Sequence, residues 1–339
     1  MPITLKELAA QSGVHPSTVS RIVNDDPGLR VSPETRARVK RLLKKTGYRP
    51  DGMARGLKLR QSFVLGVLVP DVLNPLFAAI FRGVEDAALQ KGYTVILSST
   101  DGNQDREREI LLALQSRMID GVVVASASLR DASVRWLREH DIPHVLVNRY
   151  SDQKDYFVGT DDKLGARLAT EHLLALGHRR IAHLAGPRNI STSVNRRRGY
   201  EEALKAAGIE PDAALIVETG FVGAGVTATH RLLEGRKRPT AVVAVNDVAA
   251  VGAYDAAEQL GLRIPHDLAI TGYNDIPLAA RLRPALTTIH VPAQEFGRAA
   301  ARMLLEQMVA GRDGAKRVNK RIVLPPELIV RGSTDPKRL

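Results

Sequence analysis

From residue 63 onward the chain alternates between two kinds of segment. Short apolar runs, FVLGVLV, YTVILSS, GVVVAS, HVLVN, RIAHLAG, LIVET, AVVAVN and LAITGY, lie between or before helical stretches at 76–91, 105–117, 162–176, 195–207, 224–234, 247–260 and 293–310. A continuous apolar run reads as a strand covered on both faces, and a strand that returns through a helix pairs in parallel with its predecessor. The fold class is therefore α/β, with parallel sheets sandwiched by helices. Eight such strands exceed one comfortable sheet, and the pattern has a rough midpoint near residue 160. Two similar lobes with a cleft between them are expected, with ligands gathering at the carboxyl ends of the strands. The segment ALTTIHVP, 285–292, reads as a return crossover from the second lobe to the first.

The first sixty residues do not follow this pattern, and their charge sets them apart. The chain of 339 residues carries a net charge of +12; residues 1–60 hold 13 Lys/Arg against five Asp/Glu, so +8 of the excess lies there and only +4 in the rest. Such a basic end is either a solvated face or the electrostatic footprint of a polyanion binder.

Local signals divide this end into three helices. Thr4-Leu5-Lys6-Glu7 has capping-box spacing, Leu5, Leu8 and Ala9 follow with helical periodicity, and Gly13 can close the helix in the left-handed conformation. Pro16 suits the first position of a second helix running to Asn24, with Val19, Ile22 and Val23 inward and Ser17, Thr18, Ser20 and Arg21 outward. A third opens at Ser32-Pro33-Glu34, buries Val39, Leu42 and Leu43, and ends near Gly47. Two short helices joined by a tight turn make either a structural bundle or a helix-turn-helix whose second helix fits the DNA major groove. In the second case Arg21 can offer a bidentate fork to guanine O6/N7. Residues 50–61 carry Gly52 and Gly56, each costing a helix roughly 1 kcal/mol, so the segment reads as a flexible linker or a marginal helix.

Several chemistries drop out. There is no cysteine, so disulfides, thiolate catalysis and cysteine-ligated metals are excluded. No G-x-S-x-G elbow or H-E-x-x-H helix occurs, and the nine histidines are scattered. The string Gly223-Ala224-Gly225-Val226-Thr227-Ala228 has dinucleotide-fingerprint spacing but lacks its context, leaving an NAD-dependent enzyme as a remote alternative. A periplasmic solute-binding protein would share the lobes but requires a signal peptide and leaves residues 1–60 unexplained. The expectation is a non-enzyme without metal or cofactor, with no membrane segment, in the cytoplasm.

TLKELAAQSGVHPSTVSRIVN followed by VSPETRARVKRLLKKTGYRPDGMARGLK resembles the DNA-binding headpiece of the lactose-repressor/galactose-repressor family of bacterial transcription regulators. GVLVPDVLNPLFAAIFRGVE, VGTDDKLGARLATEHLLALGHRRIAHLAG, RRRGYEEAL, RPTAVVAVND, GYND and PALTTIHVP resemble that family's effector-binding core, which shares the periplasmic sugar-binding-protein fold. The likeness covers essentially residues 3–333. It implies an all-α helix-turn-helix headpiece at 1–49, a hinge helix or linker at 50–61, an effector-binding and dimerisation core at 62–333 and a tail at 334–339. Within the core, the N-lobe takes about 62–160 and 291–322, the C-lobe about 161–290 and 323–333.

The resemblance also assigns residues. Pro16, Ser17 and Arg21 match base-reading positions, with direct readout leaning on Ser17 and Arg21 because Pro16 has no side-chain donor. Thr4, Thr18, Ser20, Asn24 and Arg30 match phosphate contacts, and Leu57, flanked by Ala54 and Arg55, matches a minor-groove wedge. Phe77, Asn148, Arg149, Arg196, Phe221, Asn246 and Asn274 match ligand contacts in the cleft. Read without the family, an Asn or Asp after a strand caps the next helix, as Asp161, Asp162 and Asp247 can, and Phe221 can be plain core. The implied function is a repressor, a homodimer on pseudo-palindromic double-stranded operator DNA, controlled by a small molecule between the lobes. Asn274 stands where the family's G-Y-D motif has aspartate; with Arg149 and Arg196 this leaves room for a sugar acid beside a neutral sugar, and a purine or nucleoside co-repressor is the alternative.

Overall fold

The computed structural model describes residues 3–23, 25–26, 28–48, 61–220, 225–234, 237–312 and 319–335. The chain divides into two units, Met1–Ser62 and Phe63–Leu339. The assignments to Asn24, Ala54, Arg55, Leu57 and Phe221 lie outside the described residues, as does most of the expected hinge and tail.

The first unit holds α1 (Leu5–Ser12), α2 (Pro16–Val23) and α3 (Pro33–Thr46). The capping box at α1 forms in full: the Glu7 N–H donates to Thr4 Oγ1 at 3.2 Å and the Thr4 N–H to Glu7 Oε2 at 2.7 Å. Gly13 closes the helix at φ 64°, a conformation only glycine adopts without strain. At α2 the Ser17 N–H donates to Nδ1 of His15, a capping role the sequence pattern does not announce. Leu8, Ala9, Val19, Ile22 and Val39 form the small core, with Leu42 and Leu43 packed partly against it. Burying that face leaves Ser17 and Arg21 of α2 exposed.

The described residues of the second unit form two six-stranded sheets. The first is built from β1 (Val64–Val69), β2 (Thr94–Ser99), β3 (Gly121–Val124), β4 (His144–Val147), β5 (Phe157–Thr160) and β11 (Arg321–Leu324). The second uses β6 (Ile181–Ala185), β7 (Ile216–Glu218), β8 (Ala241–Ala244), β9 (Ala269–Asn274), β10 (Thr287–His290) and β12 (Glu327–Ile329). Their orders, β11-β5-β4-β3-β1-β2 and β12-β10-β9-β8-β6-β7, are the same topology used twice. Every pairing is parallel except β10 with β12. The repeat breaks after β5, which ends at Thr160.

Four strands and one helix go beyond the sequence reading. Strand β10 occupies half of the segment expected to be a bare crossover, and the crossing itself is only Val291-Pro292. Its threonines carry no apolar signal, yet Thr287 and Thr288 are fully buried because their hydroxyls bond Thr334, Arg331 and Asp247. Strands β5, β11 and β12, three or four residues long, lie outside the eight apolar runs. Strand β11 also carries the first sheet to Leu324, two residues beyond the expected 322, and the chain re-enters the second sheet after Pro325-Pro326.

Helices α4 (Pro75–Leu89), α5 (Gln104–Ser116), α6 (Ala132–Glu139) and α11 (Ala293–Arg312) serve the first lobe. The second has α7 (Asp162–Ala175), α8 (Ser191–Ala206), α9 (Gly225–Leu233) and α10 (Asp247–Gln259). Helix α6 was not read from the sequence. Helix α8 starts four residues ahead of its expected position at 195, which brings Ser191 into its first turn. Each sheet has an apolar cluster on both faces, as a sheet of parallel strands covered by helices on both sides requires.

Candidate functional site

Parallel βα units leave the carboxyl ends of their strands facing a common edge, and here both lobes present that edge to each other. In the first lobe Asn148 and Arg149 follow β4, and Phe77 sits in the first turn of α4; all three are buried. The Arg149 guanidinium lies 5.7 Å from the centre of the Phe77 ring. In the second lobe Arg196 of α8 is 3% exposed, donates from Nε to Asp162 Oδ1 at 2.8 Å and from Nη1 to the Val245 carbonyl at 2.6 Å, and lies 3.6 Å from the centre of the Tyr273 ring.

Arg149 feels the charge of Arg196 across the seam. Burial first, and then the positive charge of Arg196, push Arg149 down to about 10, with Glu107 acting in the opposite direction. Direct bonds close the same edge: the Tyr150 N–H donates to Ser191 Oγ at 2.9 Å, Asn195 Nδ2 to the Tyr150 hydroxyl at 2.8 Å, and the Leu129 N–H to the Asn189 carbonyl at 2.8 Å.

The Oδ1 of Asn246 caps α10 by accepting the Ala249 N–H at 2.7 Å. Asn274 ends β9 at φ 109° with a buried Oδ1 that has no hydrogen-bond partner among the described residues. It lines a cavity of about 390 Å³ with Pro75, Leu76, His290 and Arg298, a set without Phe77, Arg149 or Arg196. The aspartates divide their work. Asp161 caps α7, whereas Asp162 is the counter-ion of Arg196 and Asp247 ties Thr288 at 2.5 Å and the Ile276 N–H at 2.8 Å.

Sequence reasoning missed Glu107, Asp162, Tyr273 and Tyr150. Glu107 is buried in α5 and is pushed up to about 7, mainly by burial and then by Asp131, against hydrogen bonds from Ser126 and Ser133 and the charge of Arg149. Its only sequence signal was a single acid in the charged run DRERE. Because its folded value lies above its ordinary 4.5, the favourable term is present in full below about pH 4.5 and is lost as pH rises through about 7. The whole span is about 3 kcal/mol at most. Glu107→Gln is therefore expected to gain stability over the parent at pH 8 but not at pH 5 in urea titrations; equal differences at both would assign the slope elsewhere.

In the headpiece, Ser17 and Arg21 lie on the exposed side of α2, while Pro16, Thr18 and Ser20 are half-buried beside them. Thr4 is exposed with its hydroxyl already engaged by Glu7, and Arg30 lies exposed in the loop before α3. The described part of the glycine string has a packing explanation. A Cβ on Gly225 would stand 2.7 Å from the Ala249 carbonyl, so this glycine lets α9 and α10 touch. Among the described residues there is no group of three His, Asp or Glu arranged to hold a metal, and no helix long and apolar enough to cross a membrane.

A helix-turn-helix unit and a two-lobed α/β unit with a polar seam define a class: one-chain regulators that couple a DNA-reading headpiece to a small-molecule sensor. The description of bacterial regulatory proteins of the lacI family matches residues 4–51, and that of a periplasmic binding protein-like domain matches residues 170–334. The ribose operon repressor of Halalkalibacterium halodurans is 35% identical over 98% of this chain and 97% of its own length. The lac repressor dimer bound to operator and the anti-inducer ONPF superposes with a TM-score of 0.87 at 28% identity, covering 98% of this chain and 99% of that one. A LacI family regulator from Enterococcus faecium with bound ribose gives 0.72 at 32% identity, covering 80% and 99%. This chain belongs to the lacI family of bacterial regulatory proteins.

Proposed function

We propose that the chain represses transcription as a two-fold symmetric dimer on a pseudo-palindromic operator, and that a neutral monosaccharide of ribose size binds between its lobes and resets operator affinity. Headpiece charge supplies the salt-dependent, sequence-independent part of the binding, and the exposed face of α2 supplies base contacts. Symmetry follows from operator geometry, because two half-sites require two headpieces related by a two-fold axis. Leu57, with Ala54 and Arg55, stays proposed as the minor-groove wedge on the strength of the resemblance.

One observation carries the choice of effector: Arg196 is neutralised by Asp162. Two unpaired guanidiniums in the cleft would favour a sugar acid. With Asp162 on Arg196, the seam instead offers a fixed donor next to an acceptor, the arrangement that suits vicinal hydroxyls. Phe77 adds an apolar face near Arg149 for the sugar ring. The ribose operon repressor and the ribose-bound regulator point the same way.

The test is a thermal-shift series of the full chain with ribose, glucose, gluconate and hypoxanthine, since a ligand that binds only the folded state raises the midpoint. Ribose is expected to raise it and to change operator affinity by a coupling of about 1–3 kcal/mol. A response to gluconate or hypoxanthine but not to ribose would overturn the assignment. For the DNA face, Arg21→Ala is expected to cost about 1–3 kcal/mol on a selected operator and to relax preference at one base position. A uniform loss on every sequence would make Arg21 a phosphate contact.

A further inference from the structure

Arg21 is held in place from within its own headpiece. Helix α2 ends in a Schellman turn: Asp25 adopts φ 45°, its N–H donates to the Ile22 carbonyl at 3.1 Å, and the Asp26 N–H donates to the Arg21 carbonyl at 3.0 Å. These backbone bonds fold Asp26 back over the last helical turn, five residues on in sequence yet beside Arg21 in space. Arg21 Nε then donates to Asp26 Oδ2 at 2.7 Å, while Asp26 Oδ1 accepts the Gly28 N–H at 2.8 Å. The neighbouring acid is turned elsewhere, with Asp25 taking Lys40 at 2.9 Å and Arg36 at 3.9 Å. The Arg21 contact and the Gly28 N–H together hold the Asp26 carboxyl below its usual range.

We propose that Asp26 is a positioning residue that sets DNA specificity by buttressing Arg21. The inference rests on the base-reading role proposed for Arg21. A guanidinium carries its five N–H groups in one rigid plane. With Nε engaged by a carboxylate that is itself anchored to the backbone, the plane is set before DNA arrives, and the Nη edge is the part offered to a bidentate acceptor such as guanine O6/N7. The same carboxylate repels phosphate, so Arg21 gains little by gripping a backbone at a wrong site. Asp26 thus favours the operator on two counts, by preorganising the correct contact and by weakening the non-specific one.

The experiment uses the full chain, a duplex that it has selected from a randomised pool, and a random duplex of equal length, with anisotropy titrations at one salt concentration. Asp26→Asn keeps an oxygen for the Gly28 N–H and removes only the charge. The expected result is weaker binding to the selected duplex, stronger binding to the random one, and a specificity ratio lower by about fivefold, the upper range for an exposed ion pair. In an Arg21→Ala background Asp26→Asn should leave the ratio unchanged. Equal tightening on both duplexes would mean that only a charge was removed, and a ratio change that persists without Arg21 would detach Asp26 from it; either overturns the proposal. If Arg21→Ala alone leaves the ratio intact, the base-reading role itself has failed. If that variant collapses the ratio while Asp26→Asn does not, only the buttress has.

Discussion

Arg196→Ala is expected to lower the unfolding free energy of the full chain by about 3–5 kcal/mol and to abolish its thermal response to ribose. Arg196 and Asp162 are each about 3% exposed and lie 2.8 Å apart, so deleting the guanidinium strands a buried carboxylate and also removes the donor to the Val245 carbonyl. Burial already raises the Asp162 carboxyl, and Arg196 is the main influence holding it down. Taking away the carboxylate's charge as well should therefore restore part of the loss, so Arg196→Ala with Asp162→Asn is expected to melt above the single variant while still ignoring ribose. Arg196→Lys separates stability from recognition, because it keeps the charge but loses the planar fork stacked on Tyr273. It should stay folded by urea titration and lose ribose binding; full ribose binding by the lysine variant would remove Arg196 from the site.

Gly83→Ala carries the second large effect, about 3 kcal/mol or more of destabilisation. Helices α4 and α11 pack backbone to backbone. A Cβ on Gly83 would stand 1.9 Å from the Gln294 carbonyl oxygen, and one on Gly297 would stand 2.0 Å from that of Ile80. Neither obstacle is a side-chain tip that can swing away, so the helices must separate along a face that also covers β3, β4 and β5. Gly311, in the same helix as Gly297, meets nothing within 4 Å, and alanine there should instead stabilise by about 0.5–1 kcal/mol. Urea midpoints of the two variants separate the effects, and similar losses at Gly83 and Gly311 would show helix propensity rather than close approach at work.

Much of this was legible in the sequence because it depends on local rules. The capping box at Thr4, the left-handed Gly13 and Gly47, and Pro16 at the start of α2 each follow from a few adjacent residues, and all are present. The eight apolar runs became strands because a buried parallel strand has no polar face to hide, and two lobes followed from their number. The elements that escaped are those whose burial rests on distant partners. Strand β10 is polar in composition, and Thr287 and Thr288 become core only through Arg331, Thr334 and Asp247.

The cleft divides along the same line. The resemblance named Arg149, after a strand, and Arg196, at an expected helix start, one by one, but nothing in a linear text pairs Arg196 with Asp162, sets Tyr273 against it, or brings Tyr150 to Asn195. Reading Asp161 and Asp162 as two caps was reasonable from position; one helix start uses one cap, which freed the other for charge pairing. The sequence by itself determined the class of fold, the two units and the basic character of the first, since periodicity, capping and charge are properties of neighbouring residues. Only the tertiary structure decided which charges are buried together, which glycines are points of contact and how Arg21 is held, because those energies arise between residues that meet only after the chain has folded.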